Sequence, residues 1–177
     1  MITAHVFIAT SLDGFIARPD GGIDWLPLEP VEDFGYDDFI AGIDILVMGR
    51  GTYEKVVTFE SWLYDIPVLV LSRQLAGTPV PEALQGKVRF AALTPKQAME
   101  ELGQQNVRRV YVDGGQVIQS FLREGLIEDL VITSIPVLLG AGKPLFGTVP
   151  ADIRLKLVAS RGFAVSGVVQ STYRVLP

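Results

Sequence analysis

The stretch from Val110 to Phe146, VYVDGGQVIQSFLREGLIEDLVITSIPVLLGAGKPLF, most narrows what this chain can fold into. Val110, Tyr111 and Val112 form a short β-type apolar run, which Asp113, Gly114 and Gly115 break. Val117, Ile118, Phe121 and Leu122 then recur on one face of a helix, and Leu130 to Leu139 returns to apolar, β-branched residues. Strand, glycine turn, helix, strand is the unit from which parallel sheets are built. Glycines at the junction let backbone approach a ligand with no Cβ in the way. The helix that follows aims its free N–H groups and positive dipole end at the same spot. Such a place suits a phosphate or a flat nucleotide ring. A tight strand-to-helix connection would use the same two glycines, so from this turn alone both readings stand.

The same unit recurs upstream. Ile43 to Met48 reads as a buried strand ending in Gly49-Arg50-Gly51-Thr52, with Tyr53 to Val56 in helical pattern. Thr52 is expected to cap that helix, and Arg50 to set a cation beside its free N–H groups. Pro67 to Leu71, PVLVL, is a further buried strand, ending in the hydroxyl and guanidinium of Ser72-Arg73. Val88 to Ala91 is a short strand, and Pro95 to Gln104 a helix opened by proline, with Ala98, Met99 and Leu102 inward.

The first strand spans His5 to Thr10, and His5 reads as a structural residue. Ser11-Leu12-Asp13-Gly14 marks a turn before Phe15 to Ala17. A long loop follows, with Asp24 beside Trp25, kept irregular by Pro27 and Pro30. Val31 to Ala41 fits a loose amphipathic helix with Glu32, Asp33, Asp37 and Asp38 on its solvated face. The C-terminal runs LKLVAS and VVQSTYRV, bridged by Gly162 to Gly167, read as an antiparallel hairpin.

The fold expected is α/β, with a mostly parallel central sheet covered on both faces and an antiparallel C-terminal hairpin at its edge, as one domain over 1–177. Ligands of such sheets sit at the carboxyl ends of the strands. Three of those ends, at 49–52, 72–73 and 114–116, are glycine-rich or suited to anions, and their convergence reads as a dinucleotide site. Neither G-x-G-x-x-G nor a Walker A sequence is present.

Composition excludes several chemistries. The chain has no cysteine and one histidine, which rules out thiolate nucleophiles, disulfides and a histidine-rich metal site; no metal is expected. A net charge of −5 argues against nucleic acid or an anionic membrane as a partner. No apolar run reaches the ~18 residues of a membrane span, and the N-terminus lacks a basic leader, so a cytoplasmic protein is the default. With 49% hydrophobic and only 20% charged residues, a buried self-association surface fits the composition.

Six segments in this order resemble the dihydrofolate reductase-like superfamily, and in particular the C-terminal reductase domain of bifunctional riboflavin-biosynthesis proteins. They are TSLDGFIA at 10–17, Trp25, ILVMGRGTYE at 45–54, VLVLSR at 68–73, VDGGQVIQSFL at 112–122 and PVLLGAGKPLF at 136–146. The resemblance implies a three-layer α/β/α fold, NADPH as cofactor and a homodimer. It places Gly49, Arg50, Gly51 and Thr52 at the cofactor phosphates, and Ser72 and Arg73 at the adenosine 2′-phosphate. Gly114, Gly115, Gln116 and Val117 would follow the pyrophosphate and nicotinamide ribose, with Asp13, Asp24 and Trp25 on the substrate side.

The substrate side departs from the pattern. Phe15 follows the SLDG motif where riboflavin reductases commonly carry a basic residue, which makes Phe15 a candidate substrate contact. The acidic LPLEPVED after Trp25 is a poor partner for a phosphate, and LYDIPVLVL lacks the arginine with which dihydrofolate reductases hold the folate glutamate. The reading is hydride transfer from NADPH to a C=N bond of a pteridine or ribosylaminopyrimidine, as in 5-amino-6-(5-phosphoribosylamino)uracil reduction. Dihydrofolate reduction and a non-catalytic NADPH-binding dimer are its alternatives. A carboxylate facing an apolar wall could have a raised pKa and relay the proton, with Asp24 the first candidate and Asp13 the second; Glu32 and Asp33 are outsiders.

Overall fold

The computed structural model describes residues 1–27 and 32–177. In chain order its elements are β1 (Thr3–Ser11), β2 (Phe15–Ala17), α1 (Tyr36–Ile40), β3 (Ile45–Gly49), α2 (Arg50–Val56), β4 (Val68–Leu71), β5 (Val88–Ala91) and α3 (Pro95–Gln104). There follow β6 (Arg109–Asp113), α4 (Gly115–Arg123), β7 (Ile127–Ile135), β8 (Lys143–Pro144), β9 (Leu155–Gly162) and β10 (Val169–Val175). A single turn of 3-10 helix, Glu82–Leu84, precedes β5.

An eight-stranded sheet runs β5-β4-β3-β6-β1-β7-β10-β9. Its pairings are parallel from β5 to β7, and β10 and β9 add on antiparallel. The parallel strands are apolar throughout because both faces are covered. Strand alternation divides them. Val110, Val112 and Val47 face a core built with Leu102 of α3 and Phe121 of α4. Tyr111, Leu46 and Met48 face the opposite core, with Tyr53 of α2 and Phe39 of α1. The result is the three-layer, dihydrofolate reductase-like architecture expected from the sequence, with its antiparallel edge.

Local chemistry sets the element ends. Thr94 and Gln97 form a reciprocal capping box at the start of α3, with Pro95 at its first position. Thr52 is not a cap: α2 begins at Arg50 with Gly49 in the cap position, which leaves Thr52 inside the helix. The strand read as Leu130 to Leu139 is shifted, since β7 stops at Ile135. Pro136 has no N–H with which to continue the ladder. The helix read from Val31 begins at Tyr36, and Val31 itself lies outside the described residues. His5 is buried, its Nδ1 3.0 Å from Asp129 Oδ2 and its Nε2 2.8 Å from Thr3 Oγ1, so it ties β1 to β7. Among the described residues no helix is long and apolar enough to cross a membrane.

Candidate active site

Because β4, β3 and β6 are neighbours, their carboxyl ends stand side by side. A cleft of about 1070 Å³ opens there. Eight of the ten residues expected at the cofactor line it, namely 49–52 and 114–117. Ser72 and Arg73 do not; the nearest lining residue of that segment is Leu71. Ser72 Oγ accepts the amides of Gln74 and Leu75 at 3.2 and 3.1 Å, which folds the turn after β4, and Arg73 is exposed.

The two helix starts at the cleft differ from the one in α3. Neither α2 nor α4 has a side-chain cap or an acidic residue in its first turn. Their first amides are left for a ligand or for water. Gly114, at φ +89°, could carry no side chain, since a Cβ would run into Thr52 Oγ1. A Cβ on Gly115 would come within 2.8 Å of the Pro144 carbonyl oxygen. Both glycines are therefore required by the tight connection itself. Gly51 is different: a Cβ there meets nothing within 4 Å. Helix packing does not require that glycine, and its open face leaves room for a ligand close to the backbone.

The 142–144 segment also lines the cleft, packed against Gly115. β8 pairs with β2, and Gln119 Nε2 donates to the carbonyls of Pro144 and Leu145, both at 3.2 Å. This two-residue strand was not legible in the sequence, being too short for any alternation.

The residues expected on the substrate side do not line the cleft. Asp24 is exposed and held bidentately by Arg18, at 2.7 and 2.8 Å. That guanidinium holds its carboxyl below the usual carboxylate range. Asp13 accepts from Ser11 Oγ at 2.6 Å and from the amides of Leu139 and Gly140 at 3.2 and 2.7 Å. These bonds, the Ser11 one foremost, lower its pKa. The expectation of a raised carboxyl pKa fails at both positions, because each carboxylate has donors rather than an apolar wall. Trp25 packs with Leu26 and Phe34 against Ile135, Phe163 and Val168. Phe15 lies against Gly142, and the adjacent Ile16 reaches the cleft instead. Glu32 accepts from Ser166 Oγ and N at 2.7 and 2.9 Å, and Asp33 from Gly35 N at 2.7 Å.

The carboxylate with the property sought is Asp113. It ends β6, lines the cleft, and lies on the Tyr111 face by alternation. Part of its surface faces the cleft, yet burial of the carboxyl pushes its pKa to about 6, offset only by the Gly114 amide. Tyr36, Tyr64 and Tyr111 stand within reach of its charge. Burial, with Asp113 second, pushes Tyr36 to about 12 and raises the other two as well. Tyr111 Oη donates to the Phe7 carbonyl at 2.8 Å. In the sequence Asp113 stands out only as a strand breaker. The alternation of Val110, Tyr111, Val112 and Asp113 was the signal that could have found it.

The fold is that of the dihydrofolate reductase-like reductases. The chain belongs to the RibD C-terminal domain family, whose profile matches residues 3–168. It is 35% identical over 163 residues to the uncharacterized protein YwjB of Bacillus subtilis (strain 168), covering 89% of this chain and 90% of that one. A candidate riboflavin biosynthesis protein of Shewanella sp. PV-4 superposes with a TM-score of 0.91 at 37% identity, over 99% of this chain and 100% of that one. A diaminohydroxyphosphoribosylaminopyrimidine deaminase/5-amino-6-(5-phosphoribosylamino)uracil reductase of Thermotoga maritima shares the fold. Its TM-score is 0.76 at 15% identity, over 99% of this chain and 57% of that one.

Proposed function

We propose that this protein is an NADPH-dependent oxidoreductase that reduces a C=N bond in a pteridine- or aminopyrimidine-type ring, with Asp113 supplying the proton. The observation that carries the reading is the meeting, in one cleft, of two uncapped glycine turns and a buried carboxyl with a pKa of about 6. The residues present fit a dinucleotide. First-turn amides of α2 and α4 and the Arg50 guanidinium suit its diphosphate, and the open face of Gly51 admits its backbone. Ser72 and Arg73 at the next strand end suit a 2′-phosphate, which would favour NADPH over NADH.

Bound there, the cofactor supplies the hydride. The chain does the rest. The glycine turns and the Arg50 guanidinium would hold the dinucleotide, and the 142–144 segment lines the same cleft. Asp113, protonated at mildly acidic pH, would give its proton to the ring nitrogen of the substrate, and solvent would restore it. The products are the reduced ring and NADP⁺, so charge and protons balance. Asp13 and Asp24 are then structural: one fastens the loop after β7, the other fixes the loop after β2 through Arg18. The exposed apolar edge of the sheet, treated below, supports a homodimer.

The test is NADPH oxidation with a dihydropterin acceptor. Asp113→Asn is expected to lower kcat by on the order of a hundredfold or more, the usual weight of a positioned proton donor. Asp24→Asn is expected to stay within about twofold of wild type, as suits an exposed ion pair. Wild-type turnover in Asp113→Asn would remove Asp113 from the mechanism.

A further inference from the structure

We propose that the turn between β9 and β10 is a positioning element of the cleft: Glu32, clasped by Ser166, seats the 23–26 segment so that Leu26 keeps its place in the lining. This rests on the cleft being the active site, as proposed above, but not on which cofactor or ring it takes.

Two residues belong to both regions. Ala9 of β1 and Leu26 line the cleft, and both also pack against a small core made of Ile135, Phe163 and Val168. Ile135 ends β7, while Phe163 and Val168 lie at the two ends of the turn that joins β9 to β10. Trp25 and Phe34 pack on the same three residues, and the Phe34 ring meets that of Phe163 edge-on, with centroids 4.8 Å apart. The lining of the cleft at Leu26 therefore rests on the β9–β10 turn.

Polar contacts fasten the neighbouring residues to the same turn. Glu32 accepts from Ser166 Oγ at 2.7 Å, from Ser166 N at 2.9 Å and from Val165 N at 3.4 Å. Arg161, whose guanidinium lies 4.4 Å from the centroid of the Phe163 ring, stands within reach of the Glu32 charge. Gln170 Nε2 donates to the Phe34 carbonyl and to Thr133 Oγ1, both at 2.9 Å, which ties Phe34 to β10 and β7. The turn is itself closed, by Phe163 N to the Val168 carbonyl at 2.8 Å and Gly167 N to the Phe163 carbonyl at 2.9 Å. Among the described residues, the only backbone hydrogen bond of 23–26 runs from Leu26 N to the Ile23 carbonyl, at 3.0 Å. A stretch with so little internal support takes its shape from what it packs against. Glu32 and Ser166 do not line the cleft, so they act on it through the packed segment and not by touching a ligand.

Three variants test this. Glu32→Ala removes the acceptor of the clasp, Ser166→Ala removes the hydroxyl donor, and Ser166→Thr keeps a hydroxyl there. Amide hydrogen exchange at Leu26 is compared with exchange at Val112 in β6. Each alanine variant is expected to speed exchange at Leu26 at least about fivefold, the weight of one lost hydrogen bond, with Val112 unchanged and Ser166→Thr close to wild type. In NADPH oxidation with a dihydropterin, KM for the ring should rise about threefold or more in both alanine variants while kcat stays within about twofold, since no reacting group is touched. Exchange at Leu26 as slow as in wild type overturns the inference. So does exchange that quickens at Leu26 and Val112 alike, which is a general loss of stability, or faster exchange at Leu26 with an unaltered KM. If the wild type oxidises no NADPH, the reductase reading falls, and exchange at Leu26 alone then decides the clasp.

Discussion

Asp113 sets function against stability. Unfolded, its carboxyl titrates near 3.8, and folded near 6. Below about pH 4 both states hold the proton, and the group does not affect stability. Between about 4 and 6 the folded state binds more protons, so stability falls as pH rises, and the loss is complete above about 6. A shift of this size corresponds to at most ~3 kcal/mol. Asp113→Asn should therefore raise the urea midpoint at pH 8 relative to wild type and leave it nearly unchanged at pH 4, while turnover is lost. If the two urea curves respond identically to pH, the carboxyl is not buried as described. Its role as acid also predicts that wild-type kcat falls as pH rises past about 6, a dependence missing in Asp113→Asn. This residue was hidden in the sequence because the two glycines behind it explained the turn by themselves. Asp24 drew attention by standing next to Trp25, but neighbours in a loop need not share a pocket: Asp24 turned to Arg18 and Trp25 to Phe163 and Val168.

At the scale of elements, the strand-to-helix turns were the most legible part of the site. Glycine at a strand end constrains backbone wherever it falls, so 49–52 and 114–117 could be placed at the cleft without knowing the packing. What the sequence could not separate was packing from ligand approach, and the structure separates them glycine by glycine. Gly114→Ala should destabilise the fold, by on the order of 1–3 kcal/mol, because the position has φ +89° and no room beside Thr52. Thermal unfolding reads this directly, and an unchanged midpoint would contradict the geometry. The loop after β7 has a different fastener. Asp13 accepts both Leu139 and Gly140 amides, so Asp13→Ala should speed hydrogen exchange at those two amides while leaving exchange in β6 unaltered. Exchange as slow as in wild type would mean that the loop is held by something else.

For the whole molecule, the succession of strands along the chain was legible in outline because each apolar run was bounded by turn residues, while their order in the sheet was not. The parallel sheet and its antiparallel hairpin followed from run composition and alternation. The pairing of β2 with β8 did not, since two residues carry no period. The finished sheet ends in two edge strands, β5 and β9. All eight residues of β9 are exposed, among them Leu155, Leu157 and Val158, and β9 is the terminal strand of the sheet. Open apolar edges invite pairing with another chain. If a second copy covers this one, Leu157→Lys should shift the protein from dimer to monomer in sedimentation, with turnover as the check that it remains folded. A wild-type protein that sediments as a monomer would exclude the dimer.

The central claim is that the cleft where β3 and β6 end holds a dinucleotide. The most direct measurement is calorimetric titration with NADPH of the wild-type protein and of Gly51→Asp. That substitution sets a negative charge at the start of α2 where there is room for a side chain to begin, since a Cβ there meets nothing within 4 Å. The account predicts saturable binding to the wild type, at least about tenfold weaker binding to the variant through charge repulsion, and the same melting temperature for both without ligand. Equal affinity in the two proteins, or no binding to the wild type, would contradict it.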